Sequence, residues 1–241
     1  MQPAATLDFG EFAPDQPDTK TTLTDGENLV PNAIGYTSLQ SEVQITTDAI
    51  TARARGAVSA INSAKTVFNY VGDEEHLYSQ GVLTHTKVTR ASADYTTGAS
   101  EFWRFAKFGN SLYAANFTNL LQTITLGGSN FVDVTAAPKC REMAIVNNFL
   151  FMGNLDESST LTPNKVRWSA INDPTTWTAT TANQAGEQVL YSSVEGGGGE
   201  ITGIVGGEEA LVFREYTIHR FQYVGGDLIF KQLDRDWETE E

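Results

Sequence analysis

The chain has 241 residues, 40% hydrophobic and 19% charged, with 16 Lys and Arg against 30 Asp and Glu for a net charge of −14. That balance is globular rather than disordered, offers enough length for one large all-β domain or two ordinary ones, and excludes a protein that grips DNA through basic patches, because such affinity comes from displaced counterions. The lone cysteine, Cys140, excludes an internal disulfide; no apolar run approaches the roughly 20 residues of a membrane span, and MQPAATLDFGEF lacks the basic start of a signal peptide, so synthesis in the cytoplasm is expected.

Residues 1–52 read as an extended N-terminal arm with closing strands. DFGEFAPDQPDTKTTLTDGENLVP is punctuated by proline and aspartate and has three apolar anchors, Leu7, Phe9 and Phe12, so it cannot fold alone. The stretch from Leu39 to Ile61 is open between strands and one short helix.

From residue 53 onward short runs rich in aromatic and β-branched residues alternate with turn pairs. Residues 56–89 read GAVSAI, KTVFNYVG, EHLYSQG and HTKVT around the turn NSA. Residues 102–138 give FWRFAKF, SLYAANF, LLQTITL and NFVDVT, with turns at Gly109-Asn110 and GGS. Residues 141–178 give REMAIV, FLFMGN, NKVRWSAI and TTWT, with turns at Asn147-Asn148 and NDP. Residues 200–233 give EITGIV, EALVFRE, YTIHRFQYV and LIFKQL, with turns at Gly206-Gly207 and Gly225-Gly226.

The first-turn positions Asn62, Gly109, Asn147 and Gly206 lie 47, 38 and 59 residues apart, and the polar insert ATTANQAGEQVLYSSVEGGGG fills the long third gap. Four-stranded meanders recurring at about 40–50 residues predict an all-β, β-propeller-like array of antiparallel blades, because one twisted meander must stack on another to bury its faces. The chain stops at DRDWETEE just after the fourth outer strand, which reads as the front part of a longer chain. Trp168 is expected on a third strand, comparable to Tyr78, Ile124 and Phe221, and Trp177 on an outer strand beside the equivalents Val132 and Leu228. Trp103, Trp168, Trp177 and Tyr223 are the candidate aromatics, for packing between blades or for stacking on a ligand.

Little else carries chemistry. His76, His85 and His219 have no partner at metal-ligand spacing, and His219 alternates along a strand in a surface or inter-strand role. The EGGGGE run at Glu195–Glu200 lacks the helix and the Lys-Ser/Thr ending of a phosphate loop and reads as a hinge or crossover. Asp73-Glu74-Glu75 and Asp156-Glu157 lack calcium-loop spacing and read as solvated turns. No catalytic residue, metal site or cofactor is expected.

The blocks LDFGEFAPD, NLVP followed by Gly35-Tyr36, GASEFWRFAKFGNSLYAANF, PNKVRWSAINDPTTWT and GIVGGEEALVFREYTIHRFQYVG resemble the propeller-bearing tail nozzle, or packaged-DNA stabilisation (tail tubular), proteins of short-tailed bacteriophages. The resemblance implies a virion tail protein: a homo-oligomeric ring, six subunits in number, beneath the portal and adaptor proteins, anchoring tail fibres, passing DNA without sequence recognition and helping to retain the packaged genome. A steric gate at the insert Thr181–Gly199 would suit that retention. The competing readings are a carbohydrate- or receptor-binding propeller, using Trp168, Trp177 and Tyr223, and a propeller enzyme, for which no residue pair can be nominated.

Overall fold

The computed structural model describes residues 28–32, 35–39, 48–191 and 197–233. The chain divides into two compact units, Met1–Ile45 and Thr46–Glu241. In the first, β1 (Leu29–Asn32) and β2 (Gly35–Ser38) form an antiparallel hairpin with Leu29 opposite Ser38. The anchors Leu7, Phe9 and Phe12, and residues 40–47 of the strand-or-helix stretch, lie outside the described residues. The second unit begins before residue 53: Thr51 already hydrogen-bonds into the first sheet, donating to Asp73 at 2.9 Å.

The second unit holds four antiparallel four-stranded meanders. Blade 1 is β3 (Gly56–Ile61), β4 (Val67–Gly72), β5 (Leu77–Gln80) and β6 (His85–Lys87). Blade 2 is β7 (Arg104–Phe108), β8 (Ser111–Ala115), β9 (Gln122–Thr125) and β10 (Val132–Asp133). Blade 3 is β11 (Lys139–Val146), β12 (Phe149–Glu157), β13 (Thr160–Trp168) and β14 (Gly186–Val189). Blade 4 is β15 (Ile201–Val205), β16 (Glu209–Arg214), β17 (Ile218–Tyr223) and β18 (Phe230–Leu233). First strands lie beside one another in series, β3 by β7, β7 by β11 and β11 by β15. The fold is an all-β, β-propeller-like array of antiparallel blades.

Turn chemistry follows from residue type. Gly109 and Asn147 open the inner hairpins of blades 2 and 3 at φ of 56° and 50°, the left-handed backbone that Gly and Asn tolerate. The turns also tie blades together: Ser63 N donates to Asn110 Oδ1 at 2.8 Å, and Asn147 Nδ2 donates to the Glu208 carbonyl at 2.7 Å.

Each pair of blades encloses its own core. Tyr70, Leu77, Trp103, Leu112 and Ile124 fill the one between blades 1 and 2. Tyr113, Leu121, Leu150, Met152 and Trp177 fill the next, and Phe149, Phe151, Trp168, Phe221 and Phe230 the last. Strand alternation deals successive residues to opposite cores: Leu112 and Ala114 of β8 go one way, Tyr113 and Ala115 the other. In blade 3, which has a neighbour on each side, Phe149–Leu155 of β12 is buried at every position, whereas β4 and β16 of the end blades alternate with exposed residues.

Blade 3 departs from the sequence expectation. Its outer strand is not TTWT but β14, Gly186–Val189, inside the polar insert, so the blade runs to residue 189 rather than 178. At the NDP turn the Asp173 carboxylate accepts from Thr175 N (2.9 Å), Thr175 Oγ1 (2.6 Å) and Thr176 Oγ1 (2.7 Å), and the reversal there makes only the isolated bridge Ala170↔Asp173. The chain therefore loops back before pairing with β13, Trp168 opposite Gly186. Within the insert Thr181–Gly199, expected as a gate, Gly186–Val189 is an integral blade strand, and residues 192–196 lie outside the described residues.

Candidate functional site

All three nominated tryptophans are core. Trp103, Trp168 and Trp177 are 3%, 5% and 2% exposed. Trp103 lies where blade 1 meets blade 2, donating Nε1–H to the Asp73 carbonyl at 2.8 Å with its indole over Gly72. Trp168 sits on the third strand β13, stacks on Phe151 at 5.4 Å and donates to the Gln184 carbonyl. Trp177 is not comparable to the exposed Val132 and Leu228; it lies in the loop after β13, fills the blade 2–blade 3 core and donates to the Pro174 carbonyl. Tyr223, partly buried, packs on Phe149 and Phe230 and donates its hydroxyl to Gln184 Oε1 at 3.0 Å. Cys140 is fully buried, and burial pushes its thiol pKa up.

The histidines separate. His219 is buried, not at the surface, between Thr217 (3.0 Å) and Gln232 (2.9 Å). Gln188 of β14 donates to Gln232 at 2.7 Å, linking blade 3 to blade 4. His76 belongs to a polar node at blade 1. Its Nδ1 is 3.2 Å from Thr51 Oγ1, its Nε2 is 3.3 Å from Asp94, and Lys87 pairs with the same Asp94 at 2.7 Å. Asp73, fully buried rather than a solvated turn, anchors the node: Glu75 N, His76 N and Thr51 Oγ1 donate to it at 2.9, 2.7 and 2.9 Å. Thr51 Oγ1 and both Asp73 carboxylate oxygens are engaged, which suits a latch holding residues 51–52 to blade 1 better than a reactive hydroxyl.

A second cluster stands on the first strands, and sequence inspection missed it because its members are far apart along the chain. Arg104 of β7 forks onto Glu142 of β11, NH2 to Oε1 at 2.9 Å and Nε to Oε2 at 3.1 Å. Arg141 bonds Glu101 at 3.0 Å, reaches Glu200 at 3.4 Å and lies 4.2 Å over the Phe117 ring. A β-bulge between Gly153 and Leu155 leaves Asn154 buried, donating to Glu200 Oε2 and the Ile201 carbonyl at 3.0 Å each. Glu101, Arg104, Arg141, Glu142 and Glu200 line a cleft of about 280 Å³ that is best described as a row of blade-to-blade ion pairs.

Asp156-Glu157 is likewise engaged. Glu157 meets Lys165 at 2.9 Å and Arg167 at 2.8 Å, and both cations also pair with Glu187 of β14. Among the described residues no group of three or more His, Cys, Asp or Glu is placed to hold a metal ion, and no helix is long and apolar enough to cross a membrane.

Three carboxyls give the fold an acid limit. Burial alone would raise Asp73, but backbone donation from Glu75 and His76 and the Thr51 hydroxyl outweigh it and hold it below its ordinary 3.8. Burial would likewise raise Glu157, but hydrogen bonds and charge from Lys165 and Arg167 outweigh it and hold the carboxyl below its ordinary 4.5. The Thr175 hydroxyl leads in lowering Asp173 from 3.8. Since each folded value lies below the unfolded one, the unfolded chain takes up protons first on acidification. The stabilisation is complete above about pH 5 and disappears as pH falls through the folded values. Urea midpoints measured from pH 7 to pH 3 are expected to fall steeply below about pH 4.5, and Asp73→Asn to lower the pH 7 midpoint and flatten the acid limb.

The four blades, their three aromatic cores and the ion pairs on their first strands define a β-propeller-like protein whose polar clusters knit blade to blade. No family model matches the chain, and no curated protein matches it. Among solved structures it is similar to a chain of an S. cerevisiae complex of Dbp5 bound to Nup159, Gle1, IP6 and ADP, at 12% identity and TM-score 0.44, covering 73% of this chain and 46% of that one. It is also similar to the computationally designed Ika4 protein, at 10% identity and TM-score 0.40 over 80% of this chain and 98% of that one. U3-55K matches at 12% identity and TM-score 0.43 over 77% and 52%. The chain thus spans about half the length of two of these three structures.

Proposed function

We propose that this chain is a non-catalytic structural subunit of a phage virion tail, forming with copies of itself part of a ring through which DNA leaves the particle. The observation that carries the reading is the state of the first-strand arginines. Arg104 and Arg141 would be the handles for phosphate, yet each is matched to glutamate, and the Glu142 carboxylate, through hydrogen bonds first and charge second, holds the Arg104 pKa above its ordinary value. Such a surface lets a polyanion slide rather than stick. The tail-nozzle resemblance supports the same reading; two of its blocks lie on β7–β8 with Trp103 and on β13 with the Asp173 turn.

The carbohydrate- or receptor-binding alternative loses Trp168 and Trp177 as platforms and would have to use the exposed Phe102, Tyr191 and Tyr216 instead. Mass photometry with negative-stain electron microscopy tests the choice. Rings with an open centre, together with no shift of duplex DNA at about 50 mM salt, where basic binders hold tightly, are the expected result. A monomer that lights up a glycan array would replace the ring reading with the binding module.

A further inference from the structure

We infer that the cleft between the first hairpins of blades 1 and 2 binds a phosphate-bearing anion, with Lys65 and Lys107 each meeting one phosphate group. The site stands on its own donors, and only the choice of a passing nucleic-acid strand as the source rests on the tail reading.

Asn62, Ser63, Lys65, Lys107 and Asn110 line a cleft of about 610 Å³, and no carboxylate lines it with them. Both hairpins lie wholly within the described residues, and Ser63 N donates to Asn110 Oδ1 across them at 2.8 Å. Elsewhere the cations of this acidic chain are spent: Arg55, Arg90, Arg104, Lys139 and Lys165 each meet a carboxylate, and Arg214 holds carbonyls. Lys65 and Lys107 are exposed, and neither meets a carboxylate among the described residues. Phe105 of β7 packs into the blade 1–blade 2 core, and strand alternation puts Lys107 on the same face, toward blade 1.

The neutral groups are turned to the same purpose. Asn62 Oδ1 accepts from Thr66 N at 2.8 Å, and Asn110 Oδ1 accepts from Ser63 N, so both side-chain oxygens are used inside the fold. Each amide NH2 is left as a donor, beside the Ser63 hydroxyl and the two ammonium groups. Such a set of donors fits an oxyanion and repels a cation. Lys65 also occupies backbone that does not suit it. Its φ is 65°, in the left-handed region where the inner hairpins of blades 2 and 3 use Gly109 at 56° and Asn147 at 50°. Burial does not account for a lysine there, because the residue is exposed; a charge presented to the cleft does.

Isothermal titration of the full 241-residue chain with tripolyphosphate, at about 20 mM salt where screening is weak, reads the site. Lys65→Gln and Lys107→Gln should each weaken binding on the order of tenfold, the loss of one charge-assisted contact. Lys231→Gln, an equal change of charge on another exposed lysine, should leave it unmoved. Lys65→Gly should weaken binding as much while holding or raising the urea midpoint, because glycine relieves the left-handed turn. Fluorescence anisotropy with a labelled single-stranded oligonucleotide separates the sources. Binding that needs both lysines, with log affinity falling against log salt at a slope of about −1.4 for two phosphates, assigns the site to a passing strand. Tripolyphosphate binding alone assigns it to a free polyphosphate. Two such contacts are too few to retard duplex DNA in a gel. Equal weakening by Lys231→Gln, or no binding of either probe, overturns the site and leaves the ring reading to its own test. A monomer that binds tripolyphosphate through both lysines would instead remove the ring reading and keep the site.

Discussion

Trp103→Ala is expected to remove about 3–5 kcal/mol of stability, the range for truncating a large buried aromatic. The side chain is 3% exposed, makes an edge contact with Tyr95 at 4.9 Å and donates to the Asp73 carbonyl at 2.8 Å, so alanine opens a cavity at the blade 1–blade 2 seam and orphans a carbonyl beside the Asp73 latch. The partner of this side chain is a residue without one. A Cβ on Gly72 would fall inside the indole, 2.6 Å from Nε1. Gly72→Ala is therefore expected to cost about 1–3 kcal/mol by overpacking in the wild type. In the Trp103→Ala background the same change should be near neutral, because the methyl enters vacated space. Urea denaturation of the four proteins measures the coupling; additive costs would mean that the indole does not need the glycine.

Arg214→Met is expected to cost about 3 kcal/mol, since a buried charge-assisted fork and two carbonyl partners are lost together. The guanidinium, on a residue 5% exposed, donates to the Gly199 carbonyl from Nε (3.0 Å) and NH2 (2.7 Å) and also to the Gly197 carbonyl. It holds the glycine crossover that leads into β15. Arg214→Lys should recover less than half, because an ammonium cannot present two donors in one plane. Hydrogen exchange provides the local readout. The Glu215 amide, which donates to the Glu200 carbonyl at 3.1 Å, should exchange faster in Arg214→Met than a core amide such as Leu150. Uniform acceleration across the blades would instead mean that Arg214 supports the whole fold rather than the crossover.

The meander pattern was legible because strand periodicity and tight-turn residues are local properties. Gly109-Asn110, Asn147-Asn148 and Gly206-Gly207 each mark an inner hairpin, and Tyr78, Ile124, Trp168 and Phe221 all fall on third strands. Even there, equivalent position did not mean equivalent partner. Ile124 packs into the core between blades 1 and 2, and Trp168 into that between blades 3 and 4. A shift of one residue in register turns a side chain to the opposite face, and nothing local records such a shift. The outer strand of blade 3 was misplaced for a related reason: TTWT has strand composition, but the reversal at Asp173 makes only an isolated bridge and the pairing falls to Gly186–Val189.

The sequence by itself determined the all-β class, the count of four meanders and the aromatic residues that build the cores, since these follow from composition, spacing and turn propensity. It also determined the acidic balance, 16 Lys and Arg against 30 Asp and Glu. Only the tertiary structure decided which carboxylates are spent and on what. Asp73 looked like part of a solvated acidic turn and is the buried centre of a latch, while Arg104–Glu142 and Arg141–Glu101 join residues about 40 positions apart. Ion pairs depend on which strands become neighbours, and that is settled by long-range packing rather than by any local signal.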